Sequence, residues 1–336
     1  MTLNGAAHAE GEAGIIQRYF APLAAGFAGA LGLTDDAAVI APPPGFDLVV
    51  TVDAIASGVH FFPDDAAADI GWKALAVNVS DLIAKGAAPH AYVMSIAFPN
   101  PPDASWLIGF AAGLAEAQRA FGIALTGGDT DRRPGPLSVT ITAFGFAPSG
   151  RMVRRATARS GDHIFVSGTL GDSALGLKQR LETASGAVVN MGGAHRMDLL
   201  SRYLRPQPPL ALVPALRDFA SASMDISDGL IKDLTRMVDA SGTGALIETQ
   251  TFPLSDAARA VLALDSAELA TIATGGDDYQ VLATVHPANV TAFVGAAAAA
   301  GVMVTQIGRI VDGAGVMIVG PDGAPITFDK PGHDHF

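Results

Sequence analysis

The sequence predicts a two-domain protein of the α/β class with mixed sheets. The chain has 336 residues, which is long for one hydrophobic core and suits two. Segments with strand patterns alternate with segments of helical periodicity. Several strand segments follow one another directly, however, which favours mixed sheets over a doubly wound parallel sheet. Residues 147–162 change abruptly to small and basic types, so we place the boundary there, between an N-terminal domain over 1–148 and a C-terminal domain over 149–336.

Composition excludes several classes of protein. Hydrophobic residues make up 49% of the chain and charged residues 16%, which is typical of a well-buried globular protein. The net charge of −12 argues against duplex nucleic acid as a partner. Because there is no cysteine, disulfides, zinc thiolate sites and cysteine nucleophiles are excluded. The first residues lack the pattern of a signal peptide, and the apolar run from Val294 to Val304 is too short to span a bilayer, so we expect a cytoplasmic protein with no membrane partner.

In the N-terminal domain, turn residues and periodicity place the elements in order. Helices are predicted over 14–20, through 71–86 and over 105–121. Strands are predicted after Asp36 up to Ile40, and over 46–55, 91–98, 123–126 and 137–146. The glycine motif over 127–130 is expected to be a loop that follows the fourth of these strands.

The helix through 71–86 is the segment around which we expect a site to form. Its apolar residues lie on one face, and Asn78, Asp81 and Lys85 lie on the opposite one. Aspartate is a poor residue for the middle of a helix. Asp81 is therefore either part of a solvated helix face or an acid held rigidly over a site, and the helix alone does not decide between these interpretations.

In the C-terminal domain, a strand over 163–167 runs into a glycine loop at 168–172 that begins a helix. Further strands are predicted over 222–226, 244–248, 279–285, 302–310 and 316–319. Helices are predicted over 229–240, with Asp228 as its cap, over 255–264, and from Ala288.

Acidic residues recur in short turns at the ends of these elements. They are Asp35, Asp36, Asp53, Asp81, Asp129, Asp225, Asp228 and Asp277. Each alone is typical of a turn or cap residue. So many oxygen ligands in a chain without cysteine favour Mg²⁺, the usual bridge between carboxylates and nucleotide phosphates.

Common phosphate-binding and hydrolase motifs are absent from the sequence. It has no G-x-x-x-x-G-K-[ST] loop, no kinase glycine loop with its lysine strand, and no G-x-S-x-G elbow. Bound phosphates would therefore depend on metal ions, backbone N–H groups and a few arginines. Arg154 and Arg155 are the candidates, and a solvated linker patch is the equally weighted alternative. His60 follows a glycine turn and lies between two acidic stretches.

Eight segments in a fixed order carry a family resemblance that covers the chain from about Asp35 to its end. They read DDAAVI, TVDAIASGVHF, KALAVNVSDLIAKGA, TGGDTDRRPGPLSVT, SGTLGDSALGL, MDISDGLIKDL, TGGDDY and HDHF. In this order and spacing they resemble the thiamine-monophosphate kinase family, of the superfamily that includes aminoimidazole ribonucleotide synthetase and selenophosphate synthetase.

The resemblance implies the ligands and the residues that hold them. It implies ATP as co-substrate, thiamine monophosphate as acceptor, several Mg²⁺ ions, and a homodimer whose N-terminal halves share a β-barrel. The implied metal ligands are Asp36, Thr51, Asp53, Asp81, Asp129, Asp225 and Asp228. The implied ATP contacts are Gly128, Asp129, Arg155 and Ser227, and the implied substrate contacts are His60, Asp277 and His333. No catalytic base is assigned, because the acceptor phosphate is already an anion.

Four positions depart from the pattern of the family. Val52 stands where a second hydroxyl residue is usual, and Asp277 where glutamate is usual. His333 stands where an aromatic residue usually precedes the terminal D-H-F, and the first acidic pair follows Leu33 and Thr34 where a glycine is usual. The metal-binding set is thus nearly complete, and the departures at Asp277 and His333 lie on the substrate side.

Two alternatives remain beside the kinase. One is a sister enzyme that uses ATP to activate an amide or a selenide, and the other is a nucleotide-binding regulator without turnover. The absence of cysteine argues against a thiol-dependent selenophosphate synthetase, and the SGVHF and MDISDGL segments favour the kinase. A regulator would be favoured by loss of the metal-binding acids, which are present.

Overall fold

The computed structural model describes residues 11–184 and 192–333. Over these residues the chain forms a four-stranded and a six-stranded sheet with helices. It divides into two units, each assembled from more than one stretch of chain. The described parts of 1–44, 50–78 and 89–145 form the first unit, and those of 45–49, 79–88 and 146–336 form the second. The prediction of a mixed α/β fold with two domains is confirmed.

The four-stranded sheet is built from the N-terminal half of the chain. The elements are α1 (Glu12–Ile15), β1 (Phe46–Ala56), α2 (Ala67–Ala84), β2 (Ala88–Phe98), α3 (Ala104–Phe121), β3 (Ala124–Arg132) and β4 (Ser138–Pro148). The strand order is β1-β4-β2-β3, and β2 and β3 pair in parallel. α3 ends at Gly122, whose φ of 65° is the left-handed conformation that glycine adopts without a steric penalty.

Two sequence predictions in this half are wrong. No strand follows Asp36: residues 37–44 have no regular secondary structure apart from a turn, and the Val39 N–H donates to Gly29 O at 2.9 Å. Pro42, Pro43 and Pro44 follow, and three prolines remove the donors that a ladder requires. The glycine motif at 127–130 is not a loop after a strand, because β3 continues through it in register with β2 as far as Arg132.

The six-stranded sheet forms the core of the second unit. Its strands are β5 (His163–Ser167), β6 (Ala220–Ile226), β7 (Gly244–Glu248), β8 (Gln280–Val285), β9 (Val304–Val311) and β10 (Gly315–Val319). The strand order is β10-β7-β9-β5-β8-β6. The β10–β7 pair is parallel and the other pairs are antiparallel, so the sheet is mixed as predicted.

Seven helices accompany this sheet in the described part of the second unit. They are α4 (Asp172–Ala184), α5 (Gly193–Leu204), α6 (Val213–Phe219), α7 (Leu230–Ser241), α8 (Asp256–Leu264), α9 (Glu268–Thr274) and α10 (Val290–Ala299). Leu234, Met237 and Val238 of α7 are fully buried and belong to the same core cluster as Ile226 and Leu282 of the sheet. None of the helices within 11–184 and 192–333 is long and apolar enough to cross a membrane.

The sequence left open whether the polar residues of helix α2 are solvated, and the structure buries or half-buries them. Asn78 is 0% exposed and Lys73 is 2% exposed, while Asp81 and Lys85 are half-buried. A solvated face is thus excluded for this helix. Burying polar groups is costly unless they find partners, so each of these side chains requires one.

Candidate functional site

In the first unit, two of the predicted acidic loops line one cavity of about 450 Å³. Asp35 and Asp36 lie at one wall, and Gly128 and Asp129 of β3 lie at another. Gly128 has a φ of 153°, and a Cβ there would stand 1.9 Å from Met94 O, so only glycine allows β3 to lie this close to β2. The structure thus brings together three of the predicted ligand-binding residues of this unit.

The loop before the acidic pair shows the effect of one departure from the family pattern. Leu33 has a φ of 55°, which is the left-handed region that glycine favours. The Thr34 hydroxyl donates to Leu31 O at 2.8 Å, and the Asp36 N–H donates to Asp35 Oδ1 at 2.7 Å. These two hydrogen bonds lie in the turn in which Leu33, although it is not a glycine, adopts a left-handed φ.

Strand β1 carries Thr51 and Asp53 on the same side, since side chains alternate along a strand. The Asp53 N–H donates to Asn78 Oδ1 at 2.9 Å, and Asn78 Nδ2 donates to Ala74 O at 3.0 Å. Asn78 therefore ties β1 to α2 directly behind a predicted metal ligand. Val52 is 58% exposed and lies on the opposite side of the strand, so a hydroxyl there would not lie beside the Thr51 hydroxyl and the Asp53 carboxylate.

His60 lies in a turn that is fixed from two sides. Its Nδ1 accepts the Ala56 N–H at 3.1 Å, so the neutral ring carries its hydrogen on Nε2. The His60 carbonyl accepts from Nζ of the buried Lys73 at 2.9 Å. The ring is thereby held in one orientation, with a donor nitrogen on the side away from the backbone.

In the second unit, α2 and β6 bring two predicted metal ligands together. Asp225 is 7% exposed, and its Oδ2 accepts from Ser80 Oγ at 2.8 Å. Burial raises the pKa of Asp225 well above its ordinary value, and the charge of Asp81 raises that pKa further. Two carboxylates that repel each other in this way are a typical arrangement for a cation site.

Lys85, one turn beyond Asp81, lies in the same cluster. Its Nζ donates to Ser223 O on β6. Burial lowers the pKa of Lys85 to about 8, while the charges of Asp225 and Asp81 act in the opposite direction and that of Arg155 adds to the lowering. The ammonium group is therefore a positive charge of the protein itself, set among Asp81, Asp225 and Arg155.

The donor set of this cluster suits Mg²⁺, because carboxylate and hydroxyl oxygens are the ligands that this ion prefers. Within 11–184 and 192–333 no three Asp, Glu or His side chains lie close enough to hold a metal ion by themselves. Mg²⁺ usually takes one or two carboxylates and completes its shell with water and substrate phosphates. A pair such as Asp81 and Asp225 fits that use, with the remaining ligands supplied by a bound nucleotide.

The loop after β6 contains Ser227 and Asp228, and its shape depends on an acid that sequence reasoning missed. Asp228 does not cap α7, which begins at Leu230. Asp228 Oδ2 instead pairs with Arg236 at 2.7 Å and with Lys232 at 3.3 Å. The fully buried Asp233 accepts the N–H groups of Ser227 at 3.0 Å and Asp228 at 2.9 Å. The only signal for this in the sequence was an acid in the first turns of a helix, which is common.

Two of the predicted substrate residues lie beside this loop. Asp277, with a φ of 70°, donates its N–H to Ser227 O at 2.9 Å, and its Oδ1 accepts from the Tyr279 hydroxyl at 3.1 Å. The His333 N–H donates to Asp228 O at 3.0 Å, and Lys232 donates to His333 O. Asp277 is thus placed next to the predicted ATP residue Ser227, and His333 next to the predicted metal ligand Asp228. The rest of the HDHF segment lies outside the described residues.

The buried carboxyl of Asp278, the residue after Asp277, should make the stability of the fold depend on pH. Burial raises the pKa of its carboxyl well above the ordinary value, although its Oδ2 accepts the Gly171 N–H at 2.7 Å. The folded chain thus keeps a proton that the unfolded chain has lost above about pH 4. This contribution to stability is complete below pH 4 and is lost as pH rises through the raised pKa.

We therefore expect the melting temperature of the wild type, measured relative to Asp278→Asn, to fall as the pH rises above about 4. Differential scanning calorimetry of both proteins measures the difference, and Asp312→Asn, in an exposed turn, is the control that shows no such trend. A difference that stays constant over this range would mean that Asp278 ionises normally in the folded chain.

Comparison with known proteins divides the chain into two domains. Residues 34–147 match the family described as "AIR synthase related protein, N-terminal domain", and residues 159–320 match "AIR synthase related protein, C-terminal domain". The fold and its loops therefore define a two-domain protein of the AIR synthase related class.

Comparison with individual relatives shows which family within this class the chain belongs to. A thiamine-monophosphate kinase of Caulobacter vibrioides is 42% identical over 90% of this chain and 84% of its own length. One of Salmonella typhimurium is 40% identical over 97% of this chain and 98% of its own. The crystal structure of the Stenotrophomonas maltophilia K279a enzyme covers 87% of this chain and 90% of its own, at 39% identity and a TM-score of 0.78. The chain belongs to the thiamine-monophosphate kinase family, and the resemblance seen in its sequence is confirmed.

A further relative was solved with ligands. The structure described as "AaThiL complexed with AMPPCP and TMP" is 31% identical, covers 88% of this chain and 89% of its own, and has a TM-score of 0.77.

Proposed function

We propose that this chain transfers the γ-phosphoryl group of ATP to the phosphate of thiamine monophosphate and so produces thiamine diphosphate. The observation that carries the proposal is the 40% identity to a thiamine-monophosphate kinase over 97% of this chain and 98% of that enzyme. The solved relative with AMPPCP and TMP supports ATP as the donor. The clustering of Asp81, Asp225 and Lys85 supports a reaction in which concentrated negative charge must be neutralised.

The residues proposed for this reaction fall into three groups. We propose Asp36, Thr51, Asp53, Asp81, Asp129, Asp225 and Asp228 as Mg²⁺ ligands. We propose Gly128, Asp129, Arg155 and Ser227 as ATP contacts, and His60, Asp277 and His333 as contacts of thiamine monophosphate. The hydrogen bond from the Asp277 N–H to Ser227 O supports this grouping, since it brings Asp277 beside the loop of Ser227 and Asp228, with one member of each group.

The proposed phosphoryl transfer requires mainly that the two substrates are positioned and that the charge of their phosphates is neutralised. Mg²⁺, when bound, offsets the charge of the phosphates that must approach each other. Lys85 and Arg155 add fixed positive charge near Asp81 and Asp225. The acceptor phosphate is an anion near pH 7 and needs no strong base, so we expect direct in-line transfer without a phosphoenzyme.

The homodimer is also part of this proposal. Strand β1 is an edge of its sheet, and its alternate residues Val50 and Val52 in the first unit are 54% and 58% exposed. A row of exposed apolar side chains on an edge strand is typical of a surface that a second subunit covers. We therefore expect a dimer with a shared β-barrel in the cytoplasm, and a single species of 34.2 kDa at micromolar concentration in sedimentation equilibrium would contradict it.

The direct test of the function is a product assay. The purified chain is incubated with ATP, Mg²⁺ and thiamine monophosphate, and products are separated by chromatography. We expect thiamine diphosphate and ADP in equal amounts, and no thiamine diphosphate when thiamine replaces the monophosphate. ADP and free phosphate without thiamine diphosphate would instead indicate an ATP-dependent sister enzyme or a hydrolase.

Substitution of Asp277 tests the proposed contact with thiamine monophosphate. At this position glutamate is usual in the family. A carboxylate is a suitable partner for the cationic thiamine, and the contact acts on ground state and transition state alike. We expect Asp277→Ala to raise KM for thiamine monophosphate about tenfold while KM for ATP and kcat change little. Steady-state kinetics measures both, with Asp312→Ala in an exposed turn as control. If only the melting temperature falls and both KM values stay unchanged, Asp277 merely shapes its turn.

A further inference from the structure

The second unit has a cleft of about 950 Å³ that is lined by basic residues. The proposed reaction does not use these residues. It is formed by the beginning of β1, the segment from Gly150 to Arg159, the end of α6 and the turn before α10. Four arginines and one histidine line it: Arg151, Arg154, Arg159, Arg217 and His286. The chain as a whole has a net charge of −12, so this cleft is a positively charged region on a negatively charged protein.

The acids of the cleft compensate only part of this charge. Asp218 pairs with Arg151 at 3.3 Å. Asp47 accepts from Ser149 Oγ at 2.8 Å and from the Gly150 N–H at 2.8 Å, and these bonds lower its pKa. The side chains of Arg154, Arg159 and Arg217 make no ion pair or hydrogen bond with any residue in 11–184 and 192–333. The cleft therefore holds guanidinium groups in excess of carboxylates, and these groups repel one another until an anion enters.

The cleft is separate from the cluster of Asp81, Asp225 and Lys85. Arg154 is extended, with φ −94° and ψ 150°, and its carbonyl accepts the Ser223 N–H at 3.3 Å. Successive side chains of an extended segment point to opposite sides. Arg155 accordingly acts on the pKa of Lys85, whereas Arg154 lines the cleft. None of the residues proposed above for metal, ATP or thiamine monophosphate lines it.

The chemistry of the lining selects a class of ligand. A guanidinium group presents paired N–H donors that match two phosphate oxygens, and several such groups match more than one phosphate. His286 adds a donor: its Nδ1 accepts the Ala288 N–H at 3.2 Å, so its hydrogen lies on Nε2. Met152 and Phe219 supply an apolar wall. We propose that this cleft binds a small molecule that carries two or more linked phosphate groups, at a site distinct from the phosphotransfer site.

Calorimetric titration in the presence of EDTA tests this site, because metal-dependent binding of nucleotide is then removed. Inorganic pyrophosphate and ADP are titrated separately into the full chain. The test variant is Arg159→Gln/Arg217→Gln. The matched control is Arg119→Gln/Arg309→Gln, which removes two exposed arginines from outside the cleft.

We expect saturable binding of at least one probe to the wild type and to Asp81→Asn. We expect at least about tenfold weaker binding to the test variant and a change of less than about twofold in the control. Tighter binding of ADP than of pyrophosphate would mean that the apolar wall holds a nucleoside, and equal binding that only the phosphates are recognised. Arg159→Lys keeps the charge without the planar group and should bind with intermediate affinity, which separates recognition from misfolding.

Two results would overturn the proposal: no saturable binding of either probe by the wild type, or equal binding by the test variant and its control. Loss of binding in Asp81→Asn would also overturn it, since the probe would then occupy the phosphotransfer site. The product assay is independent of these titrations, so failure of this site leaves the kinase function untouched.

Discussion

Asp81→Asn is expected to lower kcat for thiamine diphosphate formation by about a hundredfold or more, with little change in the melting temperature. The substitution keeps the size of the side chain and removes a charge that lies close enough to Asp225 to raise its pKa. The Mg²⁺ ion that we propose for this pair would lose one of its two carboxylate ligands. Steady-state kinetics at saturating ATP and Mg²⁺, with a melting curve, measures both effects.

Asp239→Asn is the matched control, because Asp239 is an exposed helical aspartate near the end of α7. Its turnover should remain within about twofold of the wild type, as for most surface substitutions. Two outcomes would contradict the role given to Asp81. If Asp81→Asn unfolds, the role of Asp81 is structural. If its turnover is normal, Asp81 has no role in the reaction.

Asp233→Ala is expected to cost about 3 kcal/mol of unfolding free energy and to raise KM for ATP. The buried carboxylate accepts the backbone N–H groups of Ser227 and Asp228 and pairs with Arg236 at 2.9 Å. Without it, the N–H groups of the half-buried Ser227 and Asp228 lose their acceptor, and Arg236 keeps only Asp228. Each lost hydrogen bond costs on the order of 1–3 kcal/mol. The loop that carries a proposed ATP contact and a proposed metal ligand then loses its fixed shape.

Chemical denaturation gives the loss of stability, and kinetics on the protein that remains folded at low temperature gives KM. Asp239→Ala, on the same helix but exposed, is the control. Asp233→Asn should be intermediate, because an amide offers one oxygen where the carboxylate offers two. Should Asp233→Ala melt like its control, the hydrogen bonds of Asp233 would not be what holds the loop.

Much of the fold follows from local patterns in the sequence. The strand of 46–55, the helix of 105–121 and the strand of 163–167 were predicted within two residues of β1, α3 and β5. Gly122 ends its helix as expected. These elements are predictable because each is coded by its own periodicity and by turn residues at its ends.

The partners of the buried polar groups could not be predicted in this way. Ser80 bonds to Asp225 across 145 residues, and Asn78 bonds to the backbone of Asp53 across 25. Helical periodicity gives only the side of the helix on which a residue lies. It does not tell whether that side faces solvent or a buried cluster, and this is why a polar face of α2 proved to be buried.

Tertiary pairing also overrode two local signals. Glycines at 127 and 128 indicated a loop, but parallel pairing with β2 extends β3 through them, and the close approach to Met94 explains why glycine is present. The segment after Asp36 has a strand-like composition, yet no strand forms there. Residue types, by contrast, singled out Asp36 and Asp129, which line one cavity, and Asp277, whose N–H bonds to Ser227 O, before any contact was known.

The dependence of nucleotide binding on Mg²⁺ is the decisive measurement for the proposed site. We propose that its carboxylates repel one another and that metal ions join them to the phosphates of ATP. The melting temperature is measured with Mg²⁺ alone, with a non-hydrolysable ATP analogue in EDTA, and with both. We expect the two together to raise it by several degrees more than the sum of the separate shifts, because metal and nucleotide bind as one unit. A nucleotide shift that is the same in EDTA as in Mg²⁺ would contradict the account.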